Sequence, residues 1–163
     1  MISGARDLRH CIKGGIVAGI VGGLVVALLM LLANVIMREN AWTVFGLAAK
    51  PILGKSALEP GFHALPVIVG VVSHFAVSIA WAIPFALIAY GLMRNETVLA
   101  GALWGIVVWL VMFYIVLPLV GLRDVVRTTA VMAALLEHML FGIALGLGFL
   151  PYQRPEVRAG HFG

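Results

Sequence analysis

Ionisable side chains inside unbroken apolar sequence are rare here, and two of them are neighbours: Glu137 and His138, within Ala134–Gly146 (ALLEHMLFGIALG). In hydrocarbon such groups are costly, so each needs a proton or a partner. Residues four apart share a helix face, which puts Ala134, His138, Gly142 and Gly146 on one stripe. An earlier stretch repeats this order with Gly70, His74, Ser78 and Ala82. Each of two helices therefore carries one histidine flanked by small residues. That composition lets a neighbouring backbone, or a flat ligand, come close.

Three kinds of chemistry fit these residues. In the plainest, each imidazole bonds to a neighbouring helix, His138 to Ser73 or Ser78, and fixes the packing. In the second, His74 and His138 are the axial ligands of haem b, with Gly70, Ser78, Gly142 and Gly146 leaving room for the macrocycle. The iron of that haem is the only metal the sequence suggests. In the third, Glu137, His74 and His138 form part of an ion or proton path, because intramembrane ionisable groups mark such routes. Catalysis has little support: no Ser/His/Asp set, phosphate loop or HExxH motif occurs, so the chain reads as a non-enzyme. At most it would be an electron-transfer subunit of an enzyme complex.

The elements that must position these residues follow from composition. With 63% hydrophobic and 11% charged residues over 163 positions, the chain lies far from the roughly 25% charged of soluble proteins. Four apolar runs, about 12–37, 65–93, 97–122 and 128–150, are each long enough to cross the bilayer, which takes about 20 residues. The expected fold is a single all-α transmembrane domain over residues 1–163. Nucleic acid is excluded as a partner, because no basic face remains outside the spans. A single cysteine, Cys11, rules out an intrachain disulfide. The first run continues too far beyond Gly14 to be a secretory leader, so an uncleaved span is expected.

Span 1 carries Gly15, Gly19 and Gly23 at four-residue spacing, with Ala18 and Gly22 on an adjoining stripe, and span 3 carries Gly101 and Gly105. These are surfaces for close helix contact. The long connection between spans 1 and 2 interleaves Trp42, Phe45 and Leu47 with Lys50 and Lys55. It predicts an interfacial amphipathic helix over 41–58, broken at Pro51. Pro84 inside span 2 should kink it and free the Ala80 carbonyl. Trp81 and Tyr90 are expected as interface anchors, and the tail from Tyr152 as frayed.

The two halves also resemble one another. Gly15–Val25 and Gly101–Val111 both read GxxxGIVxxLV, and Gly70–Phe85 laid over Ala134–Phe149 pairs His74 with His138. A duplicated two-helix hairpin is the economical explanation. It makes spans 2 and 4 parallel and sets both histidines at nearly equal depth, roughly 15 Å into the bilayer at 1.5 Å per residue. The basic cluster Arg6, Arg9 and Lys13 ahead of span 1 favours cytoplasmic termini.

The glycine-rich span 1, the four-helix layout and the histidine followed by small residues in spans 2 and 4 resemble the small bacterial inner-membrane proteins grouped around YagU. The resemblance implies an inner-membrane location and no known reaction, and it transfers no functional residues. The expected role is a membrane-embedded accessory subunit. Its partners would be lipids and other membrane chains, or further copies of itself, docked on the glycine stripes of span 1 and the aromatic face of span 3.

Overall fold

A computed structural model describes residues 4–154. Four helices are long and apolar enough to cross a membrane, Ala5–Ile36, Ala64–Ala89, Arg94–Leu119 and Val131–Tyr152. The protein is an all-α, four-helix integral membrane protein. In chain order the elements are α1 (Ala5–Ile36), α2 (Thr43–Leu53), α3 (Ala64–Ala89), α4 (Arg94–Val111), α5 (Leu117–Leu119), α6 (Arg123–Thr128) and α7 (Val131–Phe149). A π-helical turn, Met112–Val116, joins α4 to α5, and a short 3-10 turn, Leu150–Tyr152, follows α7.

Helix α1 begins about two turns before the expected Ile12, because Arg6, Arg9 and Lys13 sit on exposed positions of a continuing helix. Their aliphatic stems can lie along the helix while the charged heads stay in the polar layer. The connection expected at Arg94–Glu96 is instead the first turn of α4. There the Glu96 carboxylate accepts a hydrogen bond from the Met93 backbone N–H at 2.9 Å and satisfies a donor that the helix start leaves unpaired. Likewise the charged stretch after Gly121 coils into α6 before α7 starts at Val131.

The amphipathic segment after α1 is present as α2 and a 3-10 turn, Gly54–Leu58. Its break falls at Gly54, not at Pro51. Pro51 is carried within the last turn of α2 at the cost of one helix hydrogen bond, whereas Gly54 ends the helix with φ +69°, open chiefly to glycine. Nor does α2 simply rest on the interface: Val44, Phe45, Gly46 and Ala49 are buried, and the helix packs along α3. Phe45 and Val44 share a small apolar cluster with Ala27 and Met30 of α1 and Val67 and Val71 of α3.

The main core fills the half of the bundle nearest the chain termini. Phe85, Leu145 and Phe149 are fully enclosed there with Ala18, Ala82 and Ala86. Tyr90 and Trp81 belong to this packing: Tyr90 is buried, and Trp81 stacks edge-on to Trp104 at 6.1 Å. The end of the chain is held as far as it is described. Gln153 is buried and donates to the Leu92 carbonyl at 2.7 Å and to Thr97 Oγ1 at 2.6 Å, while the Arg154 N–H reaches the Tyr90 carbonyl at 3.0 Å. The remainder of the tail expected to fray, from residue 155, lies outside the described residues.

Candidate functional site: a cavity between two hairpins

Each half of the chain folds as a hairpin whose two long helices meet through glycine. In the second hairpin, α4 against α7, the approach is backbone to backbone: Gly101 faces the Gly142 carbonyl, Gly105 faces the His138 carbonyl, and Gly146 faces Thr97. A side chain at any of these positions would enter the opposite main chain. In the first hairpin, Gly15 and Gly19 of α1 face Ala82, Ala86, Ile79 and Ile83 of α3, and Gly23 faces Ser78 and Phe75. The other stripe of α1 packs on α7, with Gly14 under Phe149 and Tyr152, and Gly22 under Phe141 and Leu145. Both glycine stripes of α1 are thus consumed inside the chain, which corrects the expectation that they dock other proteins.

The hairpins join through α1 and α7, whereas α3 touches α4 and α7 at few points. Between them remains a cavity of about 450 Å³. It is bounded by α3 (Ser73, His74, Val77, Ser78, Trp81), by α4 and its π turn (Val108, Met112, Phe113, Val116) and by α7 (Glu137, His138, Phe141). Leu47, Ala48, Pro51 and Ile52 of α2 close one flank, and Leu122 and Val125, at and beyond the start of α6, close another. The walls are apolar apart from Ser73, His74, Ser78, Glu137 and His138.

Glu137, His74 and His138 therefore line one space, yet the two imidazoles are held differently. His74 Nε2 donates to the Gly23 carbonyl of α1 at 2.8 Å. Since a carbonyl only accepts, the proton of a neutral His74 is on Nε2. His138 instead uses Nδ1, which donates to the carbonyl of Ala134 one turn back at 2.8 Å. Its Nε2 bonds no other group among the described residues. The ring of Phe113 stands edge-to-face against that of His138, centroids 5.8 Å apart. Neither Ser73 nor Ser78 is the partner expected for His138, and the Ser78 hydroxyl donates to the His74 carbonyl at 2.9 Å.

These facts leave a bis-imidazole haem no pair of free Nε2 atoms. They also remove its space: Gly142 and Gly146 are spent on the crossing with α4, and Gly70 lies against the backbone of Phe45 in α2. Small residues signalled that something comes close, and what comes close is main chain.

Two features in and beside the cavity escaped sequence reasoning. One is the wide turn Met112–Val116, where the Leu117 N–H bonds to the Met112 carbonyl five residues back and which brings Phe113 onto His138. Its sequence signal was Pro118, which cannot donate and crowds the carbonyl of Tyr114, so the helix ahead of it is prone to widen. The other is Trp104, whose Nε1 donates to the Trp81 carbonyl at 3.1 Å. It sits between α3 and α4 and stacks on Trp81 and Phe85. That bond falls one residue from the Ala80 carbonyl that Pro84 was expected to free.

Fold and site together define a small polytopic helical membrane protein with a partly polar cavity inside its bundle. The chain belongs to DUF6789, described as a family of unknown function, whose model matches residues 10–158. No curated protein and no solved structure matches it.

Proposed function

We propose that this protein binds one small amphipathic molecule within the membrane, its apolar part in the cavity between the hairpins and its polar end at Glu137 and His138. The observation that carries the reading is the His138 imidazole, tied through Nδ1 and open at Nε2, at the wall of an otherwise apolar space of about 450 Å³. Cavities of this kind, apolar with a few convergent polar groups, are the usual form of small-molecule sites. The π turn adds support, since such turns recur at functional positions in helices. An accessory role beside other membrane chains is compatible with binding; the exposed face of α4 and its π turn, at Leu99, Leu103, Leu110 and Tyr114, is one surface open to it.

The setting we propose is a bacterial inner membrane with both termini in the cytoplasm. The basic residues Arg6, Arg9 and Lys13 ahead of the apolar part of α1 support that orientation. Binding is tested by extracting small molecules from protein purified in mild detergent and comparing it with Val77→Trp, which fills the cavity from α3. A near-stoichiometric amphipath is expected with the wild type and a severalfold loss with the variant. Equal recovery from both would contradict the reading.

A further inference from the structure

Three of the hydrogen-bonding groups that line the cavity, His138, Ser78 and His74, have their protons committed elsewhere and offer it acceptors. A neutral imidazole that donates through Nδ1 holds its lone pair on Nε2, so His138 offers the cavity an acceptor. The Ser78 hydroxyl has given its proton to the His74 carbonyl and retains only lone pairs. His74 has given its Nε2 proton to Gly23, which leaves Nδ1 as an acceptor. The Ser73 hydroxyl and, when protonated, the Glu137 carboxyl are the lining groups that can also donate. A ligand that could only accept, such as a ketone, an ether or a quinone carbonyl, could meet those two but would leave His138 Nε2 unmatched in apolar surroundings, and an unmatched buried polar group carries its full desolvation cost.

Building on the cavity-binding reading, we infer that the ligand is a long-chain neutral molecule with a hydroxyl head, whose O–H donates to His138 Nε2 while its chain lies between α3, the π turn and α7. The edge-to-face contact from Phe113 and the bond to Ala134 hold the ring against rotation, so the lone pair keeps its aim. Anionic amphipaths are excluded by the same walls, because no arginine or lysine lines the cavity to meet such a head. Two sources share this chemistry: a bilayer lipid with a free hydroxyl, such as a diacylglycerol, and a diffusible carrier, such as a prenylated hydroquinone.

The test is native mass spectrometry of the full chain released from micelles, titrated with tetradecanol or with tetradecyl methyl ether. The alcohol is expected to saturate at about tenfold lower concentration than the ether, the value of one well-placed hydrogen bond. His138→Leu should abolish the difference while still binding both. Equal binding of alcohol and ether by the wild type overturns the hydroxyl assignment and leaves cavity binding standing. Binding of neither overturns the underlying reading too, and a preference that persists in His138→Leu overturns the part given to His138. Because the wild-type comparison stands alone, poor folding of the variant does not remove the test. Competition then separates the sources. Displacement of tetradecanol by dioleoylglycerol assigns a lipid and displacement by a prenylated hydroquinone assigns a carrier. Equal displacement by the matching quinone overturns the inference.

Discussion

The side where α1 meets α7 and the side where α3 meets α4 would be equivalent in a perfectly duplicated molecule, yet one is closed and the other holds a cavity. On α1, Gly14, Ala18 and Gly22 let α7 approach until Gly148 touches Ala18. The matching positions on α4, taken from the alignment of Gly15 with Gly101, are Ala100, Trp104 and Val108. A tryptophan in place of an alanine holds α3 away from α4, and its indole is fixed there by the Trp81 carbonyl. Exchange of small residues for large ones on one helix face thus accompanies the change from a packing interface to a cavity. The histidines differ likewise: His74 ties α3 to α1 through Nε2, and His138 bonds within α7 through Nδ1.

If Trp104 is the wedge, Trp104→Ala should give the largest effect, a loss of about 3 kcal/mol from a large-to-small change. It should also shorten the distance between spin labels on α3 and α4; an unchanged distance would break the comparison. Next in size, Gly142→Ala should cost about 2 kcal/mol, because its Cβ enters the backbone of Gly101. Gly15→Ala in the first hairpin should cost only about 1 kcal/mol, since its Cβ would stand 3.1 Å from the Ala86 methyl and the Ile83 Cα, a looser approach than at Gly142. Equal thermal shifts for the two variants in the same detergent would mean that the hairpins are not packed differently. His74→Ala should lose about 1 kcal/mol with its interhelical bond. His138→Ala should lose less than about 0.5 kcal/mol, because the Ala134 carbonyl remains within its helix ladder. In ligand binding the order reverses, with His138→Ala the more damaging.

Spans, glycine stripes and the repeat could be read from the sequence because length, hydropathy and four-residue spacing are properties of a single helix. The site was legible only in part. His74, His138 and Glu137 do line one cavity, but the spacing of Gly70, Gly142 and Gly146 could not say whether a ligand or a main chain approaches them. That depends on which helix lies opposite, and for Gly70 it is α2, whose docking on α3 follows from burial of Phe45 and not from its own amphipathic pattern. Which nitrogen of each imidazole is engaged was likewise hidden, since it is set by a carbonyl across the bundle for His74 and by one on the same helix for His138.

Nitrogen NMR on histidine-labelled protein in lipid nanodiscs tests the divergence of the two imidazoles most directly, with signals assigned by their loss in His74→Ala and His138→Ala. Opposite neutral tautomers are predicted, the proton on Nε2 in His74 and on Nδ1 in His138. The same tautomer at both positions would contradict the account.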